Sequence, residues 1–213
     1  MPLRPPPPAA DVGPLILAIP AGEILYRVHA SRRGPTAFNP GLGPPSRFAP
    51  LHADDPPIVV PTLYAASTIL SALSESVFHD VPYRGLAKRI LVSRLDGMVL
   101  SAITLTRPLR VAQLAGAGLR RIGVRRRDLI DGGPGTYTTT ARWAAALHDC
   151  SAAPDGLTWT SRQDDTARAC VLFGDRVDPG TLAPISAPIH LDVAPGLDLV
   201  EQAATDAGIT VIR

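Results

Sequence analysis

The stretch that decides the architecture is Asp155-Gly156-Leu157-Thr158-Trp159-Thr160-Ser161-Arg162. Leu157 to Trp159 combines apolar and β-prone residues and predicts a short strand that delivers Ser161 at its end. Three further stretches carry polar groups: Leu25-Tyr26-Arg27, Ser46-Arg47-Phe48, and Leu63-Tyr64-Ala65 with Glu75 beyond it. We interpret the four stretches as one site and therefore expect them to converge around a common cavity.

The side chains of these stretches suit a reaction that breaks the glycosidic bond between the base and the ribose of a nucleotide. Guanidinium groups, here Arg27 and Arg47, donate paired hydrogen bonds to phosphates. A tyrosine ring, here Tyr64, stacks on a flat base. A carboxylate such as Glu75 stabilises the positive charge that develops on a ribose when its base departs. The set predicts a pocket that holds a dinucleotide and breaks its glycosidic bond.

The hydrophobic pattern predicts a chain of mixed helices and strands. We expect an unusually long loop at Ser31 to Pro57, and such loops are often functional. Glu75 is expected on a helix face beside Ser71, Ala72 and His79, which leave room for a ligand. A hairpin is expected around Arg107-Pro108. The expected strands are Ile24 to Val28, Leu63 to Tyr64, Met98 to Leu105, Leu109 to Leu114, Leu157 to Trp159, Ala169 to Phe173, Ile189 to Val193 and Thr210 to Ile212, and the expected helices are Ser67 to Phe78, Thr140 to His148 and Leu197 to Ala207.

Length and composition favour one domain. The chain has 213 residues, of which 46% are apolar and 5% aromatic, so the core is expected to be built mainly from Ala, Val, Leu and Ile. Residues 1–21 contain Pro5-Pro6-Pro7-Pro8 and are predicted to be a flexible leader before a domain at 22–213. The predicted fold class is α+β, with a mixed central sheet. With no apolar run of membrane length, the cytoplasm is the expected location.

At these positions the chain resembles the RES domain family, named for its arginine, glutamate and serine. Arg27 lies in a stretch like the family's tyrosine-arginine stretch, Arg47 matches its second arginine, and Glu75 matches its glutamate. Tyr64 sits in a segment similar to the family's Leu-Tyr-x-Ala, and Ser161 follows Asp-Gly as the family's serine does. Resemblance continues through Thr138, Trp143, His148 and 171–176, and spans roughly residues 22–177.

The resemblance implies a fold like that of ADP-ribosyltransferases and an activity that consumes NAD as a substrate, typical of the toxin in a bacterial toxin-antitoxin pair. It implies that Glu75, Arg27 and Ser161 are catalytic and that Arg27, Arg47, Tyr64, Phe48 and Ser161 bind the substrate. Arg27 and Arg47 would hold the pyrophosphate or nearby ribose oxygens, and Ser161 would help to place the nicotinamide ribose. It also implies an antitoxin partner of the Xre or helix-turn-helix type. The sequence leaves a homodimer open.

The chain also departs from the family pattern. Many members carry Gly-Gly-Arg-Trp where this chain has Pro45-Ser46-Arg47-Phe48, so the grip on the phosphates is expected to differ. Val28 stands where some members have a second tyrosine. Transferases that modify arginine carry Glu or Gln two residues before the catalytic glutamate, and Leu73 occupies that place here.

Several interpretations remain beside NAD cleavage. The protein could transfer ADP-ribose to another protein, or bind a dinucleotide without turnover. Taken singly, Arg27 and Glu75 fit ordinary ion pairs, Tyr64 fits a core position, and Ser161 fits a turn.

The remaining motifs argue against other classes of function. Arginines cluster at 120–127, but without interleaved aromatics or a helix-turn-helix pattern, so nucleic-acid binding is not expected. Gly116-Ala117-Gly118 lacks the third glycine of a Rossmann turn because Arg121 occupies its place. Glu75 and His79 lack a third ligand, so no metal site is predicted. Cys150 and Cys170 fit neither a disulfide framework nor zinc spacing and are expected to be buried or idle thiols.

Overall fold

A computed structural model of the protein describes residues 4–53, 58–79, 81–82, 88–161 and 164–213. It has the α+β architecture expected from the sequence, with a mixed central sheet and helices packed against it. The strands are β1 (Ile16–Ile19), β2 (Ile24–Ala30), β3 (Leu51–Ala53), β4 (Ile58–Val60), β5 (Thr62–Ala66), β6 (Arg89–Leu91), β7 (Met98–Leu105), β8 (Leu109–Gln113), β9 (Gly156–Thr160), β10 (Arg168–Phe173), β11 (Leu182–Pro184), β12 (Ile189–His190) and β13 (Thr210–Ile212). The helices are α1 (Ile69–Ser74), α2 (Gly116–Arg121), α3 (Arg126–Leu129), α4 (Tyr137–Asp149) and α5 (Gly196–Asp206).

The main sheet runs in the order β1-β8-β9-β10-β5-β2-β7-β11, with β12 also paired to β7. The strand pair β8 and β9 is parallel, and the other pairs of this sheet are antiparallel. In a flat sheet, five steps of about 4.8 Å would separate β8 from β7 by roughly 24 Å. The link from Leu105 to Leu109 reaches only about 14 Å when fully extended. The sheet must therefore curl.

The expected hairpin around Arg107-Pro108 is wrong. β7 pairs with β2, β11 and β12, whereas β8 pairs with β1 and β9. The turn carries the chain across the opening of the curled sheet instead of folding β8 back onto β7. Two adjacent apolar runs joined by Arg-Pro predict that the chain reverses direction, but they do not identify the strands with which each run pairs.

The two strands that carry the tyrosine-arginine and Leu-Tyr stretches part from one another. β2 pairs with β7 over seven residues, Ile24 to Ala30. With β5 it pairs only at Tyr26, opposite Ala66. Beyond that pair the sheet splits, and a cleft opens between β2 and β5.

The long loop expected at Ser31 to Pro57 contains regular structure. Its end forms β3, which pairs with β4, and Asn39 bridges to Thr62 through two backbone hydrogen bonds of 2.7 and 2.9 Å. Residues 54–57 of this range lie outside the described residues. The predicted flexible leader, residues 1–21, also contains regular structure, because its residues from Ile16 onward form β1, which pairs with β8.

The helices differ from expectation at their ends. α1 is shorter than Ser67 to Phe78: Thr68 caps its first turn by accepting a hydrogen bond from Ser71 N at 3.1 Å, and Glu75 follows its last residue. α4 starts at Tyr137, so Thr140 lies inside the helix rather than capping it. The strand expected at Ile189 to Val193 is only the two-residue β12. The end of α5 before Gly208, which has φ +65°, matches expectation.

The residue before β9, Asp155, is held by several hydrogen bonds. Asp155 accepts two hydrogen bonds from the Arg107 guanidinium, at 3.3 and 3.2 Å, and one from Arg110 N at 2.7 Å. Gly156 follows with its backbone against β10, where an added Cβ would lie 2.3 Å from Val171 O. Only glycine fits this approach, so the Asp-Gly pair fixes where β9 enters the sheet and, through its register, where it ends at Ser161.

Candidate active site

One cavity of about 830 Å³ lies at the split between β2 and β5. This volume is within the range of about 300 to 1,000 Å³ typical of small-molecule sites. Four of the residues singled out from the sequence line it together: Arg27, Arg47, Tyr64 and Glu75. The structure therefore brings these distant stretches together at one cavity. Its remaining wall comes mainly from the loop at 39–50, from β5 and α1, and from residues 134–137.

Glu75 is held between two elements by hydrogen bonds to both carboxylate oxygens. Oε2 lies 3.4 Å from Arg47 Nη1, and Oε1 accepts a hydrogen bond of 3.0 Å from Ser161 Oγ. The Glu75 side chain is 15% exposed and lines the cavity, so its carboxylate is oriented but still accessible. A carboxylate fixed in this way is preorganised to stabilise a nearby positive charge.

Arg47 is the most unusual group of the site. Its side chain is only 5% exposed, yet its Nε and Nη2 donors have no hydrogen-bond partner among the described residues. Nε and Nη2 donate from the same edge of the guanidinium, which is the geometry that binds two oxygens of one phosphate. Buried donors without partners are costly, so a site of this kind favours an anionic ligand.

Arg47 is anchored through its backbone. Its carbonyl oxygen accepts a hydrogen bond from Thr140 Oγ1 of α4. The amide of the next residue, Phe48, donates to the Tyr64 hydroxyl at 3.1 Å, and Ser46 Oγ lies 3.1 Å from the same hydroxyl. The loop that carries Arg47 is therefore fixed on both sides, by α4 and by β5.

Arg27 is buried, 6% exposed, and its guanidinium is partly engaged. Nη1 donates to the carbonyl oxygens of Pro35 and Ala37, at 2.9 and 3.0 Å, whereas its buried Nε has no partner among the described residues. Burial, and secondarily the charge of Arg33, lowers the pKa of Arg27 to about 10. Arg27 therefore stays protonated at neutral pH and holds the loop after β2 against the cavity.

Tyr64 lies on the cavity wall with its ring edge toward Trp159, at 6.2 Å between centroids and 72° between planes. Burial raises the pKa of Tyr64 to about 12, against the opposing effect of its hydrogen bonds to Ser46 and Phe48. The phenol is therefore neutral and its hydroxyl serves the Arg47 loop. The ring remains the part of Tyr64 that a ligand can reach.

Two of the residues predicted to touch the substrate are not on the cavity wall. Phe48 is fully buried and packs edge to face on Trp159, with centroids 5.2 Å apart. Its side chain has no exposed surface and lies outside the cavity lining, so a contact between Phe48 and the substrate stays a prediction. Phe48 anchors the Arg47 loop to the core, the packing role that a larger tryptophan would fill in a Gly-Gly-Arg-Trp loop.

Ser161 is also fully buried and lies outside the cavity lining. Its expected contact with the ribose is therefore not observed, and its hydroxyl instead bonds Glu75. The Ser161 carbonyl accepts a hydrogen bond of 3.1 Å from Arg126 Nη2, and its amide bonds Ala167 O at 3.0 Å. Ser161 thus positions the carboxylate from behind. Arg162, next in the chain, lies outside the described residues.

The sequence reasoning missed part of the cavity wall. His79 and Tyr137 both line it, and His79 Nε2 lies 2.6 Å from the Tyr137 hydroxyl. Thr140 was expected to cap a helix, and its contact with the Arg47 carbonyl was not foreseen. His79 stands four residues after Glu75, a spacing that the sequence does show, but nothing in the sequence connects it to Tyr137, 58 positions away.

The two cysteines are buried and free, as expected. Burial raises the pKa of Cys170 to about 12, so its thiol is unreactive at neutral pH. No helix in the described ranges has the length and hydropathy needed to cross a bilayer.

The chain is a member of the RES domain family, whose model matches residues 24–194. That span contains all the cavity residues discussed above. Among solved structures, the chain is similar to one from "Crystal structure of the M.tuberculosis MbcT-MbcA toxin-antitoxin complex", with a TM-score of 0.59 and 20% identity over 88% of this chain and 92% of that one. This likeness supports the fold. No curated protein matches the chain significantly.

Proposed function

We propose that this RES domain cleaves the bond between nicotinamide and ribose in NAD and passes the ADP-ribose to water or inorganic phosphate. The observation that carries the proposal is Arg47, a guanidinium in the cavity wall that contacts Glu75 through Nη1 and whose buried Nε and Nη2 donors have no partner among the described residues. An ordinary structural arginine would use those donors. An anionic ligand would satisfy them, and a pyrophosphate fits a planar fork.

The proposed reaction needs one carboxylate. Ordinary glycosidases use two, because the departing oxygen must be protonated. Nicotinamide leaves as a neutral molecule from a cationic precursor, so no acid is required. Glu75, oriented by Ser161 and Arg47, would bond a hydroxyl of the ribose and stabilise the cation as the bond breaks. NAD is a substrate in this scheme, not a cofactor.

Tyr64 would stack on the nicotinamide ring with the face that its hydroxyl contacts leave free. Arg47 would bind the pyrophosphate through Nε and Nη2. Arg27 would contribute its remaining donors while its Nη1 keeps the loop at Pro35 and Ala37 in place. Ser161 acts on the substrate only through Glu75.

Transfer of ADP-ribose to a protein is the nearest alternative. Leu73, in the place of the second acid of arginine-modifying transferases, is fully buried in the core. It offers no group to an acceptor arginine, which favours a small acceptor. Binding of NAD without turnover is the third alternative, and it predicts thermal stabilisation by NAD with no product.

Incubation of the purified protein with NAD, with and without phosphate, tests the proposal. Free nicotinamide is expected, together with ADP-ribose in water or its phosphorylated form in phosphate. NAD labelled in the adenylate half, added with cell lysate, separates the alternatives: label on protein indicates transfer. Absence of nicotinamide release under all these conditions would refute NAD cleavage.

NAD loss would make the protein a toxin, and we propose that a neutralising antitoxin of the Xre or helix-turn-helix type accompanies it. The similar solved structure is a chain from a toxin-antitoxin complex. Expression of the protein alone is expected to lower cellular NAD and stop growth. Co-expression with the product of an adjacent gene for such an antitoxin is expected to restore both.

A further inference from the structure

The His79 and Tyr137 pair forms a polar contact of the cavity that the cleavage step does not use. His79 Nε2 lies 2.6 Å from the Tyr137 hydroxyl, and both side chains line the cavity. A direct hydrogen bond between an imidazole and a hydroxyl is a common arrangement for moving a proton.

Both members of the pair stand on well-anchored backbone. His79 directly follows Phe78, which is fully buried, and Val77, whose amide bonds Leu73 O at 2.7 Å. Tyr137 is the first residue of α4 and is 5% exposed. The pair is thus supported by the buried segment that follows α1 and by the start of α4.

His79 and Tyr137 line the same cavity as the Glu75 carboxylate. His79 lies four residues beyond Glu75 in the same segment, and Arg27 and Arg47 are the other charged side chains that line the described part of the cavity. The two arginines carry only donors and Glu75 is bonded to Arg47 and Ser161. The His79 imidazole is therefore the group of this lining best suited to accept a proton.

We propose that His79 and Tyr137 activate water as the acceptor, which extends the proposed NAD cleavage to its second half. When the bond between nicotinamide and C1′ of the ribose breaks, its electron pair leaves with nicotinamide. A lone pair of the acceptor oxygen then forms the new bond to C1′. The acceptor's proton moves to the Tyr137 oxygen as the Tyr137 proton moves to Nε2 of His79, and the imidazolium later releases it to solvent.

His79→Gln tests this role, because glutamine can still bond the Tyr137 hydroxyl but cannot take up a proton. Removal of a general base typically slows a reaction by about a hundredfold or more. We expect that fall in kcat for nicotinamide release, with KM for NAD changed by less than about threefold because the pair is not a phosphate contact. Tyr137→Phe should give a fall in the same direction.

Rescue by azide distinguishes the loss of a general base at His79 from a purely structural defect. Azide is an anion that attacks C1′ without losing a proton, so it bypasses the missing base. We expect added azide to restore nicotinamide release by His79→Gln and to yield the glycosyl azide of ADP-ribose, detected by mass spectrometry. Azide should not restore Glu75→Gln, whose defect lies in bond cleavage.

His190→Gln is the matched control, since His190 is 57% exposed on β12 and outside the cavity lining. It should behave like the wild type. If folded His79→Gln keeps the wild-type kcat, or if its lost activity is not restored by azide, the proposed acceptor role is wrong while NAD cleavage stands. If the wild type itself releases no nicotinamide, NAD cleavage and the acceptor role both fail.

Discussion

β9 has an arginine-carboxylate pair at each end, and the two pairs are built differently. At its start, Arg107 makes two hydrogen bonds to Asp155 and two more to the carbonyls of Pro108 and Arg176. At its end, Arg47 Nη1 lies 3.4 Å from Glu75 Oε2, and its buried Nε and Nη2 have no hydrogen-bond partner in the described part of the chain.

The difference separates a structural pair from a functional one. The Asp155 pair satisfies its groups within the protein and ties the β7 to β8 turn to β9. In the Glu75 pair the arginine is more buried, since the Arg47 side chain is 5% exposed and that of Arg107 is 39% exposed, but fewer of its donors are hydrogen-bonded. A buried donor edge is tolerated where a ligand completes it, so stability is expected to depend on the first pair and activity on the second.

Glu75→Gln gives the largest expected effect. Turnover of NAD should fall by about a hundredfold or more, because the charge that stabilises the ribose cation is lost. The free energy of unfolding should change by only about 1 kcal/mol, because the charged contact that is weakened, between Glu75 Oε2 and Arg47 Nη1, is long at 3.4 Å. Nicotinamide release and urea unfolding measure the two quantities. A folded variant with wild-type turnover would remove Glu75 from the mechanism.

Asp155→Asn should show the reverse pattern. Hydrogen bonds to charged groups contribute about 1.5 to 3 kcal/mol each, and the loss of charge at Asp155 weakens its bonds to Arg107 and to the amide of Arg110. We expect a loss of about 2 kcal/mol in unfolding free energy. Turnover per folded molecule should be unchanged. Lost turnover at full stability would contradict the division between the two pairs.

Arg47→Lys tests the open donor edge. Lysine keeps the positive charge beside Glu75 but lacks the planar fork. KM for NAD should rise by about tenfold, with a smaller change in kcat. Arg107→Lys is the matched control at the other end of β9 and should leave KM unchanged. Equal KM values for both variants and the wild type would show that the Arg47 fork does not bind the substrate.

Tyr64→Phe gives the smallest expected effect and depends on pH. At pH 8 the loss of the hydroxyl that supports the Arg47 loop should cost about 1 kcal/mol. Burial raises the pKa of Tyr64 from 10.0 to about 12, so between these values the unfolded chain releases the phenolic proton and the folded chain keeps it. This contribution is complete below pH 10 and is lost as pH rises toward 12.

The stability advantage of the wild type over Tyr64→Phe should therefore vanish and then reverse between pH 10 and 12, because each unit of difference in pKa corresponds to about 1.4 kcal/mol. Urea unfolding of both proteins across this range measures it, and effects of other titrating groups cancel in the comparison. A difference that stays constant would mean that Tyr64 is not desolvated on folding.

The sequence predicted local features better than long-range ones. Strands such as β7, β10 and β13 follow from runs of apolar and β-branched residues, and Gly208 correctly ends α5. The hairpin at Arg107-Pro108 was wrong because strand partners depend on the curl of the whole sheet, which no local pattern encodes.

The same limit applies to the site. Arg47, Tyr64 and Glu75 could be grouped from the family resemblance, and they do line one cavity. The resemblance does not tell which side chains face the cavity, so Phe48 and Ser161 were predicted to contact the substrate although both are fully buried. The contact between His79 and Tyr137 joins elements far apart in the chain and emerges only from packing.

A crystal structure of the Glu75→Gln variant with NAD tests the central claim most directly. The nucleotide is expected in the cavity between β2 and β5, with two oxygens of its pyrophosphate on Nε and Nη2 of Arg47 and its nicotinamide ribose beside residue 75. NAD bound on another surface, or in the cavity with that arginine edge still unoccupied, would contradict it.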